Sequence, residues 1–571
     1  MKRVCLLLLS ALLTSASTDC CNAQTAKEIL TQNTKAYLCI PDVREFEKHW
    51  NETQLGQLAA DPVMKPFAKD AQLQIRERLI QSNLHVQVDW NEIQNACGKE
   101  LTVATVLPSK GTGQGVVLIM DMEGREQEAQ AMAKSISEKL QAKKAKRSEE
   151  TIDGHTLVTH QLPRETGKLK ADQVVRFTIG KHMVICNNRS VAEELLGRLH
   201  SQQFDHSFAS LPAFQKTVER SRSEDSDRNL APHIEWYVDP FGFVKLVKAA
   251  RNKPGVTSSE YLDLFVNQGF DAIHASGGVV YFSTGEHEML HRTYVYAPAD
   301  PKAEDGDRFR LAARLLDFPN VENVEVPNWV PRELATYMSI RWKTREAFEH
   351  VGTMVNEMAG SDSYFEDFLQ SLKEDPHGPH LDIRDEFIAY LDDTIHVFTD
   401  QVLPVTTESE RLLFAIKLTD SHAVAKTLRK LEHDKEFNLH VYGDLDVWEY
   451  KSVQDVELPP TAILEIDGAP LVAPQPQEEA RSIANTSFTV AHDYLLISTH
   501  MNLLEQIINV TPNSETLKQA ADFQMIQEKL TAIGAGSDSC RFFARTDEEY
   551  RTNYELLREG KMPEAESFLG R

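Results

Sequence analysis

The second half of this chain repeats, element by element, the plan of its first, and that repetition dictates how the apolar residues are divided between cores. The stretch Phe177-Thr-Ile-Gly-Lys-His-Met-Val-Ile-Cys186, followed by Val191-Ala-Glu-Glu-Leu-Leu196, reads like Phe488-Thr-Val-Ala-His-Asp-Tyr-Leu-Leu-Ile-Ser498 followed by Leu503-Leu-Glu-Gln-Ile-Ile508. Upstream, Ala36-Tyr-Leu-Cys-Ile40 with Arg44-Glu-Phe46 is matched by Thr336-Tyr-Met-Ser-Ile340 with Arg345-Glu-Ala-Phe348. Matched positions are offset by 300 at Tyr37/Tyr337, 296 at Val116/Leu412 and 311 at Phe177/Phe488. Short loop insertions account for this drift, because added loop length costs little closure entropy.

Each copy reads as strand, helices, hairpin, helix, strand, hairpin, helix. Apolar residues at three- and four-residue spacing predict helices with one buried face over 63–80, and over 363–372 with 381–391. Hairpins are expected from 101–107 with 116–122 and from 395–399 with 412–418, and charged helices over 127–142 and 422–433. Glycine turns at Gly154 and Gly443 each lead into a strand, and alternating residues over 273–282 and 290–296 form a meander between the copies. The pattern predicts an α+β protein of two duplicated halves, residues 24–326 (with the connecting β-meander) and 327–571, each an antiparallel sheet covered by helices on one face. At 571 residues the chain exceeds what one core can hold.

Residues 1–23 are expected to be a signal peptide. Lys2 and Arg3 precede an apolar stretch over 4–13 that is too short to span a bilayer, and small residues offer cleavage after Ala16 or Ala23. A lipoprotein alternative would modify Cys20 or Cys21. The expected location is extracytoplasmic, periplasmic or secreted, with no integral membrane span. The 61 Lys+Arg against 86 Asp+Glu give a net charge of −25, which excludes a polyanion-binding face, so no nucleic-acid partner is expected. The basic run Lys143-Lys-Ala-Lys-Arg147 is read as the C-terminus of a helix. After cleavage at Ala23 four cysteines remain: Cys39, Cys97, Cys186 and Cys540. Cys39 and Cys186 lie in strand patterns with Ser339 and Ser498 at or beside their repeat positions, which favours buried thiols over bridges.

The segment Trp50-Asn-Glu-Thr-Gln-Leu-Gly-Gln-Leu-Ala-Ala-Asp-Pro-Val-Met64, together with Gly277-Gly278, Tyr294 to Pro298 and Val330-Pro-Arg-Glu-Leu-Ala-Thr-Tyr337, resembles large secreted proteins of Planctomycetes-type bacteria to which no activity is assigned. The resemblance covers most of the mature chain. It implies export and supplies no reaction.

Among segments that could carry chemistry, His287-Glu288-Met-Leu-His291 matches the zinc-hydrolase pattern in which two histidines on one helix face hold the metal and the glutamate is general base. Strand-like sequence on both sides of it, and a turn at Gly285, argue against a helix there. His377-Gly-Pro-His380 reads as a loop, and Gly111, Gly113 and Gly115 as a hairpin connection, since a strand follows where a phosphate cradle needs a helix N-terminus. No catalytic, cofactor-binding or metal residue is therefore assigned, and no cofactor is expected. Trp90, Trp236 and Trp448 are expected to pack in cores, and Trp329, between Pro327 and Pro331, to be partly exposed. The proline-rich insertion over 458–480 is expected to be an extended loop or a contact surface, with 462–466 able to add an edge strand. The leading expectation for function is a non-enzymatic secreted or envelope protein that binds or supports an envelope protein or polymer. The alternative is a zinc-dependent hydrolase using His287, Glu288 and His291.

Overall fold

The computed structural model describes residues 24–561 apart from 77–83, 87, 111–112, 164–171, 223–230, 252–257, 305, 323–324, 375–379, 407–408, 435, 451–463, 467–468, 472–485 and 512. The expected signal peptide lies outside the described residues, as do most of the 458–480 insertion and the His377 end of the His-Gly-Pro-His segment. Contacts divide the chain into two units. One holds the residues up to Lys253 with Ile273–Ala297, and the other holds Pro254–Ala272 with the residues from Pro298. The division expected after residue 326 thus falls earlier. The segment around Asn267 joins the second unit through Asn267 Nδ2 to Glu357 Oε1 at 2.7 Å, and Trp342 Nε1 reaches back to Leu315 O at 2.9 Å.

Among the described residues the first unit contains ten strands: β1 (Thr34–Ile40), β2 (Leu101–Val106), β3 (Gly115–Asp121), β4 (Lys146–Ile152), β5 (His155–Gln161), β6 (Gln173–Ile179), β7 (His182–Cys186), β8 (Ile234–Val238), β9 (Ala275–Phe282) and β10 (Met289–Tyr296). They form one sheet in the order β10-β9-β8-β1-β2-β3-β7-β6-β5-β4. Every pairing is antiparallel. The helices used below are α1 (Val43–Glu52), α2 (Gln54–Ala60), α3 (Lys65–Arg76), α4 (Glu126–Ala142) and α5 (Arg189–Ser201).

Side chains alternate across a strand, and β3 is buried along its whole length. Val117 and Ile119 pack with Val191, Leu195 and Leu199 of α5, whereas Val116, Leu118 and Met120 pack with Met132, Ile136 and Leu140 of α4. Helices therefore cover both faces of the sheet, not the single face expected. A strand buried on both sides reads as a continuous apolar run, and Gly115-Val-Val-Leu-Ile-Met-Asp121 is such a run.

The second unit has β11 (Thr336–Arg341), β12 (Leu391–Gln401), β13 (Glu410–Leu418), β14 (Phe437–Tyr442), β15 (Leu445–Tyr450), β16 (Leu464–Ile466), β17 (Ala469–Leu471), β18 (Ser487–Ala491), β19 (Tyr494–Ser498) and β20 (Cys540–Ala544). Its main sheet runs β14-β15-β18-β19-β13-β12-β11-β20, all antiparallel. Read from β20, that order is the order of β8-β1-β2-β3-β7-β6-β5-β4 in the first unit. Its helices include α6 (Thr344–Ala359), α7 (Tyr364–Glu374), α8 (Ser421–Leu428) and α9 (Met501–Ile508), and again both faces are covered. Leu413 and Ala415 pack with Leu503, Leu504 and Ile507 of α9, while Leu418 and Trp448 pack with Val424 and Leu428 of α8. β16 and β17 form a separate pair, so residues 464–466 do not extend the main sheet.

Several further expectations are corrected in detail. The β6–β7 turn is closed by Ile179↔His182 and the β18–β19 turn by Ala491↔Tyr494. Aligning the turns sets Phe177 opposite Thr489 in the comparison, an offset of 312 in place of 311. Because a slip of one residue exchanges faces, Phe177 belongs to the core under α5 and Phe488 to the opposite one. Lys146 and Arg147 open strand β4 instead of ending a helix, and β4 and its counterpart β14 were not foreseen as strands. β4 is an exposed edge, Lys-Arg-Ser-Glu-Glu-Thr-Ile, whose charges oppose pairing with another chain. Trp329 is 6% exposed, not partly open, and stacks on His492 with Tyr494 edge-on. Trp448 is buried as expected, whereas Trp90 and Trp236 are half-buried.

Glycine at 278 is a packing requirement. A Cβ there would lie 2.1 Å from the carbonyl oxygen of Arg292 on the neighbouring strand β10. Gly278→Ala is expected to cost roughly 1–3 kcal/mol by overpacking, seen as a lower urea midpoint with unchanged slope.

Candidate functional site

The His287-Glu288-x-x-His291 segment is not helical. His287 and Glu288 lie in the connection from β9 to β10, and His291 sits in β10 opposite Val280. The turn is closed by Ser283 N to Glu288 O at 2.8 Å and Thr284 N to His287 O at 3.0 Å, with Gly285 at φ 84°. Glu288 is exposed, and its carboxylate accepts the backbone N–H of Gln54 at the start of α2. A free helix N-terminal donor is a good partner for a carboxylate, so Glu288 anchors a helix here. Among the described residues no group of three or more His, Cys, Asp or Glu is placed to hold a metal ion.

Each sheet holds a cluster of buried ionisable groups around its Tyr37 or Tyr337 strand. In the first unit Cys39 sits between Thr102 on one neighbouring strand and Glu235 on the other. Glu235 is 1% exposed and accepts from Lys27 Nζ at 3.2 Å and Arg222 Nη2 at 2.6 Å. Glu100 accepts from Ala26 N at 3.1 Å, Thr102 Oγ1 at 3.1 Å and Cys39 Sγ at 3.4 Å, and burial raises its pKa. Burial also raises the Cys39 thiol far above its ordinary range, and pushes Cys97 and Cys186 up to about 12. A nucleophilic cysteine needs its thiolate, so these three thiols are structural. Among the described residues the four cysteines are free, and of these only Cys540 is exposed.

The same register in the second unit places Ser339 between His396 and Arg541. His396 is 1% exposed, with Tyr337 Oη 2.9 Å from Nδ1 and Tyr494 Oη 3.3 Å from Nε2. Desolvation, with help from Arg341 and Lys417, lowers its pKa to about 3. The imidazole is therefore neutral, one nitrogen donating and the other accepting. A small recess nearby, lined by Tyr337, Phe523, Gln527 and Arg541, has room for about one water. Glu100, Glu235 and His396 are engaged by neighbours of the same unit, whereas Ser339 Oγ is buried without a hydrogen-bond partner among the described residues.

The surface presents something different. Between β1 and β2 the chain makes a helical excursion through α1, α2 and α3. Thr53 Oγ1 accepts from Gly56 N at 2.9 Å and donates to Trp50 O at 2.6 Å, folding the chain sharply between α1 and α2. A Cβ on Gly56 would lie 2.0 Å from Trp50 O, so this turn requires glycine. The turn leaves Leu55 and Leu58, one helical step apart, 58% and 50% exposed, with Val63 83% and Phe67 64% exposed beyond them. The helix expected over 63–80 does form across Lys65–Arg76, but its described residues carry no buried face. At the same topological position in the second unit, α6 and α7 expose Met358, Tyr364 and Phe368. Periodicity found the helices but could not show which apolar faces lack a core.

Among the described residues no helix is long and apolar enough to cross a membrane. No family model matches this chain, and none of the curated proteins or solved structures compared with it matches either.

Proposed function

We propose that this is a non-enzymatic binding or structural protein acting outside the cytoplasm, and that the α2–α3 excursion is its contact surface. The observation that carries the reading is the set of large apolar side chains, Leu55, Leu58, Val63 and Phe67, turned out to solvent by a built turn. Exposed apolar groups gathered in one segment mark interaction sites more often than isolated ones do. The reading is favoured over a zinc hydrolase because Glu288, the required general base, is engaged on the α2 backbone. The charged-then-apolar N-terminus and the resemblance to secreted bacterial proteins support export. The common strand order of the two sheets supports descent from one duplicated unit, the second copy keeping the exposed excursion.

Leu58→Asp with Phe67→Asp tests the surface. Both residues are exposed, so stability is expected to change by no more than about 0.5 kcal/mol per site. Recovery of an envelope protein or polymer from cell-envelope extract by the immobilised protein should fall at least severalfold. Equal recovery by the wild type and the double variant would overturn the assignment. Sequencing of the mature N-terminus tests export, and an intact Met1 in the cytosolic fraction would contradict it.

A further inference from the structure

We infer that His155 and His200 form a two-histidine site for a divalent transition-metal ion such as Zn²⁺ or Cu²⁺. His155 opens strand β5 directly after the Asp153-Gly154 turn, and His200 lies in the last turn of α5. Nδ1 of His200 stands 3.4 Å from Nε2 of His155, with ring centroids 5.5 Å apart and ring planes inclined at 71°. A tetrahedral ion with metal–nitrogen bonds of about 2.0–2.1 Å holds two ligand nitrogens about 3.3–3.4 Å apart. The same separation is long for a hydrogen bond, whose N–H···acceptor distance is usually about 2.9–3.0 Å. The observed spacing therefore suits a shared ion better than it suits direct imidazole–imidazole bonding.

Three further features favour the site. Both histidines are carried on fixed elements. β5 is paired on both sides, by β4 and β6, and α5 is seated by Val191, Leu195, Leu196 and Leu199, each no more than 2% exposed. Rigid supports hold ligand geometry better than loops do. The C-terminal end of α5 carries the negative end of the helix dipole, which attracts a cation. His200 is exposed and His155 half-buried, so water can reach the ion and complete its coordination. Two imidazoles select borderline transition metals over Ca²⁺ and Mg²⁺, which prefer oxygen, and Cu²⁺ should bind more tightly than Zn²⁺. The ion would tie the start of β5 to the end of α5.

The test is calorimetric titration of chelator-treated, full-length protein with ZnSO₄ and then CuSO₄. Wild type, His155→Ala, His200→Ala and His291→Ala are compared, each checked for an unchanged thermal transition without metal. The expected result is a site weakened about tenfold or more in either of the first two variants, unaffected in His291→Ala, and tighter for Cu²⁺. Added Zn²⁺ should also raise the thermal midpoint of the wild type but not of His200→Ala, since a ligand that binds only the folded state stabilises it. Wild-type isotherms in both His155→Ala and His200→Ala would overturn the inference. So would binding lost only in His291→Ala, or no Zn²⁺ binding by the wild type. None of these outcomes depends on the envelope partner, so this site and the α2–α3 surface stand or fall separately.

Discussion

Asp400→Ala is expected to destabilise the second unit by about 3–5 kcal/mol, the cost of leaving one member of a buried ion pair without its partner. Asp400 on β12 stands directly opposite Arg411 on β13. The two side chains are 10% and 11% exposed and meet in a two-pronged contact, Nε to Oδ1 at 2.7 Å and Nη2 to Oδ2 at 2.5 Å. Asn502 Oδ1 at 3.2 Å and Gln506 Oε1 at 3.4 Å, both from α9, accept further guanidinium protons but carry no charge. With Asp400 gone, the arginine stays desolvated and uncompensated. Replacing both residues, Asp400→Leu with Arg411→Met, is expected to cost far less, because the desolvation penalty disappears along with the attraction. Amide hydrogen exchange in β12 and β13 with urea unfolding checks both variants. An Asp400→Ala loss below about 1 kcal/mol would show that the pair behaves as an exposed one.

The second large effect is a pH dependence set by His396. In the unfolded chain its imidazole takes up a proton below about pH 6.5, whereas in the folded second unit it does so only near pH 3. Between those values the unfolded state holds the extra proton, so acid favours unfolding. The stabilisation is complete above pH 6.5 and is lost as pH falls, by about 1.4 kcal/mol per pH unit and about 4–5 kcal/mol across the window. Desolvation of the buried ring is the main cause of the shift, and the charges of Arg341 and Lys417 add to it. The hydroxyls of Tyr337 and Tyr494 lie against the two ring nitrogens. His396→Gln keeps an amide donor and acceptor between the two tyrosines and removes the titration. Urea unfolding at pH 4.5, 5.5 and 6.5 should show a shallower slope in the variant by about one proton, whatever its absolute stability. Identical slopes would mean that the unfolded chain and the native site bind protons alike at this residue. His233 in the first unit, lowered to about 4 by burial and by His49, acts with the same sign, and its contribution cancels in the comparison.

What the sequence determined by itself was local periodicity and its repetition. The helix expected over 127–142 forms across Glu126–Ala142, with Met132, Ile136 and Leu140 on its buried face. The strands around Tyr37 and Tyr337 were legible because the matched segments Ala36-Tyr-Leu-Cys-Ile40 and Thr336-Tyr-Met-Ser-Ile340 each lead into a helical pattern with Arg-Glu. Strand β4 was not legible, because an edge strand with no buried side carries no apolar alternation and its charges resemble a helix end. Phe177 and Phe488 share their neighbours in sequence yet lie on opposite faces, since register is decided by which turn residues close each hairpin. Trp329 looked exposed between two prolines and is buried by His492 and Tyr494, distant residues that no local window includes. The exposed face at Leu58 and Phe67 and the His155–His200 pair were likewise decided by tertiary structure. Whether an apolar helix face finds a core, and whether residues 45 positions apart come within 3.4 Å, depends on how whole elements pack, and spacing along the chain carries no term for that.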